Sequence, residues 1–289
     1  MKFGIAYANT VTYASPAGAV AMGQAAEAAG FESLWTVEHV IVPAEYDSAY
    51  PYAEDGKMPG GGHFDLPDPL IWLTWVAAHT STIRLATGIL ILPQRNPLVT
   101  AKEVATLDVL SGGRVTLGVG IGWLEEEFRF LGVPFEDRVQ RTEDYVGALR
   151  ALWGDEVASY SAGTVAFDRV ISRPKPANGT VPVVIGGHTR AAARRAGRIG
   201  DGFWPAKGDL PALIEEMRKA AEGAGRDPDA VEITANGLAA MGGGQAALDE
   251  VGRLAELGVS RVMLAPLTYD PSPLGDALAA YGADVIARV

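Results

Sequence analysis

Val181-Pro182-Val183-Val184-Ile185-Gly186-Gly187-His188-Thr189-Arg190-Ala191-Ala192-Ala193, followed by Ile199-Gly200-Asp201-Gly202-Phe203-Trp204, is the stretch that decides the fold. Val183-Val184-Ile185 is a short apolar run with no polar alternation, which suits a strand buried on both faces. The Gly-Gly pair ends it, Thr189 opens an Ala-rich helix, and Gly200 marks the restart into a second apolar strand. A strand, a helix and a strand in that order make a parallel crossover unit, because the helix carries the chain back to the end from which it set out.

The same unit recurs along the chain. Helix-to-strand joints stand at Ala29-Gly30-Phe31, Ser81-Thr82-Ile83, Ser111-Gly112-Gly113-Arg114 and Leu257-Gly258-Val259, in addition to Ile199-Gly200-Asp201. Gly at such joints fits a left-handed helix C-cap. Ser15-Pro16, Asp68-Pro69, Asn96-Pro97 and Ser272-Pro273 each set a capping side chain before a Pro suited to the first helical position. Strands are predicted at Lys2–Ala8, Glu32–Val37, Ile83–Ile89, Arg114–Gly120, Val181–Gly186, Asp201–Trp204, Val231–Asn236 and Ser260–Ala265. Eight such strands alternating with helices predict an α/β fold, a (β/α)8 TIM barrel.

Two connections are long, one after the second strand (about 40–67) and one between the fourth and fifth (about 121–180). The second holds a predicted helix near 138–153 and a hairpin, 157–160 with 165–167, before the fifth strand. No linker or shift of composition interrupts the chain, so residues 1–289 read as one domain. A doubly wound open sheet is the alternative. It would need a Gly-rich loop after the first strand, where Asn9-Thr10-Val11-Thr12-Tyr13 stands instead.

Composition narrows the function classes. Hydrophobic residues make up 48% and charged residues 20%, enough apolar material for a core. The net charge of −11 speaks against a nucleic-acid partner. No apolar run has the ~18 residues of a membrane span, and the first residues read as a strand rather than a signal peptide, so a cytoplasmic location is expected. With no Cys, disulfides, thiol catalysis and thiolate metal sites are excluded. The four His residues, 39, 63, 79 and 188, show no metal-binding spacing, and no metal is expected. Neither a Gly-x-Ser-x-Gly elbow nor a Walker loop is present.

In such a barrel, chemistry sits on the loops that follow the strands. His39 follows the second strand, either as a proton donor and acceptor or as a structural His bonded to a neighbouring strand end. Glu38 is expected in the barrel wall or against a cation. Thr87-Gly88 ends the third strand within an apolar run longer than a strand needs, so a bulge there would press backbone against a flat ring; an ordinary buried strand is the other reading. Gly120 and Gly122 follow the fourth strand, where alternate glycines permit close approach of a ligand. The triplet Glu125-Glu126-Glu127 reads as a first helical turn, where carboxylates suit the dipole. Gly186, Gly187, His188, Thr189 and Arg190 give the strongest signal: amides at a helix start, with an Arg that a phosphate would neutralise, or else a plain tight turn. Gly242-Gly243-Gly244 competes for a phosphate but has no adjacent basic residue. Arg138, Arg141 and Asp144 share one helical face and read as a solvated ion-pair row.

Taken together, these residues resemble the bacterial luciferase-like flavin and deazaflavin oxidoreductases. The likeness is carried by Gly30–Trp35 with Glu38-His39, Arg84–Ile89, Pro97–Thr106, Leu110–Arg114, Gly118–Phe128, Val181–Gly187 and Gly200–Pro205. It implies a flavin-type ring in the barrel mouth, a non-proline cis bulge at Gly88 behind it, and the cofactor phosphate on Gly186–Arg190. It also implies Gly120 and Gly122 along the phosphate side and His39 near the reactive edge. The expected cofactor is coenzyme F420, with FMN as the alternative. The expected activity is hydride transfer between the deazaflavin and a small organic substrate. The alternatives are a reduced-flavin monooxygenase and a non-catalytic flavin-binding relative. The sugar-phosphate dehydrogenases of the deazaflavin branch carry Glu after the loop's last glycine; Trp123 stands here, so sugar-phosphate oxidation is not expected. A homodimer is implied by the resemblance alone.

Overall fold

The computed structural model describes all 289 residues. Eight parallel strands close a barrel: β1 (Lys2–Ile5), β2 (Ser33–Thr36), β3 (Arg84–Thr87), β5 (Val115–Gly120), β8 (Val183–Gly186), β9 (Gly202–Trp204), β10 (Glu232–Asn236) and β11 (Val259–Leu264). Two contacts close the ring, β1 on β11 with Lys2 opposite Arg261, and β3 on β5 with Leu85 opposite Val115. A two-residue strand, β4 (Leu90–Ile91), rejoins the wall beside Val119 and Gly120. The third strand is therefore interrupted rather than continuous to Ile89, and the Gly88–Ile89 peptide at the interruption is cis. An antiparallel hairpin, β6 (Ala158–Ala162) and β7 (Val165–Val170), precedes β8 as the sequence predicts.

Nine α-helices cover the barrel: α1 (Pro16–Ala28), α2 (Pro69–Ala77), α3 (Pro97–Leu110), α4 (Glu125–Phe130), α5 (Arg138–Gly154), α6 (Arg190–Ile199), α7 (Leu210–Gly223), α8 (Gly244–Glu256) and α9 (Leu274–Asp284). Ser15, Asp68 and Asn96 cap α1, α2 and α3 through their side-chain oxygens. Ser272 does not cap α9. That helix begins one residue later than the sequence implies, with Pro273 before it, and the Ser272 amide donates to Asp270. Gly30 and Gly258 lie in the left-handed region at their joints, with φ of 85° and 82°. Gly200 is extended instead; a Cβ there would fall 2.8 Å from the Gly202 carbonyl oxygen, so this joint needs Gly for space and not for φ.

The predicted ion-pair row on α5 does not form. Asp144 is buried, accepting from the Thr164 amide and hydroxyl to fasten the hairpin, while Arg138 stacks on Phe135 and Arg141 pairs with Asp137. Of the two Trp residues on α2, Trp72 is core and donates to the Tyr13 carbonyl, and Trp75 is 48% exposed.

The barrel interior is layered. At the N-terminal ends of the strands, Arg261 makes two 3.0 Å hydrogen bonds to the Glu32 carboxylate and a third to Glu232, which also pairs with Lys2. Above this charged floor, Trp35 and Trp204 meet edge to face at 5.3 Å, with Ala6, Ala86, Val184 and Met263 packed around them. Side chains thus fill the axis from below, and the open end is the C-terminal one. No helix is long and apolar enough to cross a membrane.

Candidate functional site

At the mouth, the residue after each strand is fixed by a different device. His39 stands three residues beyond the end of β2, and both of its ring nitrogens are engaged. Nδ1 lies 2.9 Å from Glu127 Oε2, and the Trp123 indole N–H donates to Nε2 at 3.3 Å. The other Glu127 oxygen accepts from the amides of Val40 and Ile41, at 2.7 and 3.2 Å. Glu126 does the same one step along the loop, accepting from the Asp47 and Ser48 amides and from the Ser48 hydroxyl. Burial opposes ionisation of Glu126, yet these donors hold its carboxyl down at about 2.

The acidic triplet therefore does more than suit the dipole of a short helix. Glu126 and Glu127 turn back and satisfy the backbone of the long loop after β2. Sequence reasoning missed this. The available signal was a long segment without secondary structure of its own, whose amides need acceptors from somewhere.

Glu38 is buried and pairs with Arg95, while its second oxygen accepts from the Ile91 amide at 2.6 Å. Arg95 also reaches the α2 cap, Asp68, at 2.8 Å. The chain beyond the cis bond is thereby tied to β2. Thr87 is 1% exposed and donates to the Gly118 carbonyl, so its hydroxyl serves the wall and does not face the mouth. The Ile89 side chain fills the space beside two glycines: a Cβ on Gly120 would fall 1.7 Å from Ile89 Cδ1, and one on Gly186 2.7 Å from its Cγ2. What these glycines admit is Ile89, which the bulge thrusts across the wall. Gly88 itself lies against Trp204, whose ring would meet a Cβ at 2.5 Å and whose indole N–H donates to Asn236. Gly122 has φ of 77° and abuts Phe128 and Ile91.

Gly186, Gly187, His188, Thr189 and Arg190 lie together at the end of β8 and the start of α6. Thr189 is the N-cap, its hydroxyl accepting from the Ala192 amide at 3.1 Å. The Gly187 amide donates to the Trp204 carbonyl, whereas those of His188, Thr189, Arg190 and Ala191 have no acceptor within the protein. His188 Nδ1 is buried and also lacks a partner. Burial, then the charge of Lys207, lowers the His188 pKa and favours its neutral form. The Arg190 side chain is exposed, and its charge acts on Glu215 and Lys219 of α7. At the rival glycine run, the Gly244 amide is already taken by Asp284.

Aromatic rings span the mouth between these two groups. Trp123 meets His39, Tyr46 and Tyr50 edge to face at 5.6, 5.7 and 5.2 Å. Tyr50 meets Tyr52, and Tyr52 meets His188, both at 5.4 Å. Burial, followed by the neighbouring Tyr7, Tyr52 and Tyr46, pushes the Tyr50 hydroxyl up to about 12. Lys57 and Lys207 reach this row, but each donates to a backbone carbonyl, of Tyr46 and Pro51. The three Tyr residues of the loop were not singled out in sequence. No group of three or more His, Asp or Glu residues is placed to hold a metal ion.

A sequence profile described as luciferase-like monooxygenase matches residues 1–272. An uncharacterized protein of Mycobacterium tuberculosis is 32% identical over 268 residues, covering 91% of each chain. An F420-dependent glucose-6-phosphate dehydrogenase of Nakamurella multipartita is 31% identical over 241 residues, 80% of this chain and 65% of that one. Among solved structures, an F420-dependent secondary alcohol dehydrogenase in complex with an F420-acetone adduct superposes with a TM-score of 0.78 at 18% identity, over 99% of this chain and 98% of that one. A monooxygenase from Streptomyces bottropensis superposes with a TM-score of 0.76 at 22% identity, over 100% and 99%. At these identities the two structures speak for the barrel fold alone.

Proposed function

The chain belongs to the luciferase-like monooxygenase family, and on that premise we propose that it is an F420-dependent oxidoreductase acting on a small organic substrate that is not a sugar phosphate. The observation that carries the cofactor reading is the cluster of unpaired donors at the start of α6. Four successive amides, from His188 to Ala191, and the buried His188 Nδ1 find no partner in the protein. A buried polar atom left unpaired costs about 1–3 kcal/mol, and a helix start with free amides suits a phosphate. His188, Thr189 and Arg190 would hold the phosphate, with Gly186 and Gly187 beneath. The wall of Gly88 and Ile89, with Gly120 and Gly122 beside it, would support the ring. When bound, the deazaflavin supplies a two-electron hydride acceptor or donor.

The chain's own residues have distinct tasks in this reading. His39 gives or takes the substrate's proton. Trp123 and the three tyrosines exclude water from the mouth and present aromatic edges to the substrate. Glu38 and Arg95 fix the bulge that supports the ring. The curated relative that oxidises glucose 6-phosphate needs a seat for a second phosphate. Here Lys57 and Lys207 are both turned onto backbone carbonyls, and Trp123 fills the loop position expected to differ. The F420 reading also draws support from the name of that 31%-identical relative.

Equilibrium titration of the purified protein with coenzyme F420 and with FMN, followed by cofactor fluorescence, tests this. F420 is expected to bind at least tenfold more tightly, a difference of about 1.4 kcal/mol. Tighter binding of FMN, with oxygen uptake once the flavin is reduced, would replace the proposal with a monooxygenase.

A further inference from the structure

His39 has two possible neutral tautomers, and its two neighbours agree on one. An indole N–H can only donate, so the nitrogen facing Trp123, Nε2, must carry the lone pair. A carboxylate can only accept, so the nitrogen facing Glu127, Nδ1, must carry the proton. Glu127 is fully buried, and its other oxygen is already committed to the Val40 and Ile41 amides. His39 is the one side chain that hydrogen-bonds it. A buried carboxylate bound to one nitrogen of an imidazole orients the ring and stabilises the cation that forms when the other nitrogen takes a proton.

We propose that Glu127 is the positioning residue of the site: it locks His39 in the Nδ1–H tautomer, so that Nε2 is the atom that receives or returns the substrate's proton. The use of that proton rests on the oxidoreductase reading above; the tautomer lock does not. In the oxidative direction the balance is simple. A bound deazaflavin would supply the acceptor for the hydride that leaves the substrate's C–H bond. The adjacent O–H or N–H proton passes to Nε2, and the substrate gains a double bond. The substrate's polar group must therefore take the place of the Trp123 N–H at Nε2. Trp123 is also packed on Tyr46 and Tyr50, so the loop that closes the mouth and the group that caps the base are one assembly.

Protein labelled with nitrogen-15 in His provides a direct readout, because ring nitrogens with and without a proton resonate far apart. Only four His residues are present, and His39→Asn identifies the signal. In the unliganded protein, the neutral His39 ring should be almost wholly Nδ1–H. Glu127→Gln, whose amide can donate as well as accept, should give a mixture or the reverse tautomer. Trp123→Phe, which keeps Glu127, should retain Nδ1–H, and it also covers the case in which Glu127→Gln fails to fold. A predominantly Nε2–H ring in the native protein, an unchanged tautomer in Glu127→Gln, or loss of Nδ1–H in Trp123→Phe would each overturn the lock.

Titration of the same samples with coenzyme F420 forms a separate arm. Failure to bind F420 with the tautomer as expected removes the F420-dependent reading and leaves the lock. Binding with the wrong tautomer removes the lock alone. Once a turnover assay exists, Glu127→Gln should reduce kcat by up to about 10⁴-fold, the scale of losing a carboxylate that fixes a catalytic imidazole's tautomer, with KM little changed.

Discussion

Gly120→Ala should change the sign of its effect according to what stands at position 89. In the native protein the new Cβ would lie 1.7 Å from Ile89 Cδ1 and 3.1 Å from Cγ1. Turning χ2 would carry Cδ1 away, but Cγ1, whose place χ1 sets, stays 3.1 Å from the new Cβ, and a β-branched side chain is stiff at χ1. Overpacking of this kind costs about 1–3 kcal/mol. Replacing Gly by Ala at a φ open to both restricts the unfolded chain and returns about 0.4–1 kcal/mol. The single variant should therefore lose about 0.5–2 kcal/mol, by the difference of the two. In an Ile89→Ala background the nearest remaining atom is Cβ, at 3.8 Å, which is ordinary contact. There Gly120→Ala should be stabilising by about 0.4–1 kcal/mol. Urea unfolding of the four proteins of this cycle gives the coupling energy, about 1–3 kcal/mol for residues in contact. Additive effects would mean that Gly120 is kept for some other purpose, such as the approach of a ligand, and the account of Ile89 as the occupant would fail.

Further outcomes follow from the same contacts. Thr189→Ala should cost about 1 kcal/mol as a lost N-cap, and should weaken F420 binding as well; Asp209→Ala, the equivalent loss on α7, should cost a similar amount and leave binding unchanged. Equal effects on binding would remove Thr189 from the phosphate site. Arg261→Met should lower stability by about 3 kcal/mol, because Glu32 is left without its partner in the barrel floor; a melting temperature unchanged by this variant would deny the floor its role. The loop anchored by Glu126 should loosen in acid. Its carboxyl is held below the ordinary value, so its contribution is complete above about 4.5 and is lost as pH falls toward about 2. Pepsin cleavage within residues 40–67 should rise over that window, and Glu126→Gln should abolish the pH dependence of the rise.

The barrel was legible because each crossover unit carries local marks. Pro after Ser15, Asp68 and Asn96 sets helix starts, and Gly30 and Gly258 set helix ends, through rules that involve only neighbouring residues. The grouping of Gly186–Arg190 was legible for the same reason. Contacts made across the mouth were not. That Gly120 and Gly186 accommodate Ile89 depends on where a bulge in another strand throws its side chain. That Thr87 faces Gly118 and not the mouth depends on where the bulge begins, one residue later. Asp144 looked like a solvated helix residue because its position on α5 fits an ion pair; only the fold brings Thr164 to it, 20 residues on. Position after the second strand led to His39, and neither that nor the family likeness gave a hint of what holds it.

The two ends of the barrel differ in how fully their polar groups are satisfied, and that difference argues for the location of the chemistry independently of any likeness. At the floor, Lys2, Glu32, Glu232 and Arg261 satisfy one another. Four residues in the protein carry a buried side-chain polar atom without a partner: Gln94, Arg138, His188 and Tyr281. Three of these lie on connections that leave C-terminal strand ends: Gln94 after β4, Arg138 as the first residue of α5 in the connection from β5, and His188 after β8. Unpaired buried groups oppose folding, and native proteins hold few of them. Their gathering at one end, beside four free amides, is the pattern of a surface completed by something other than protein. His39 marks the contrast. It stands at that same end with both nitrogens matched, as the proton carrier proposed above would have to be, whereas the groups proposed to hold a ligand are left for that ligand to satisfy.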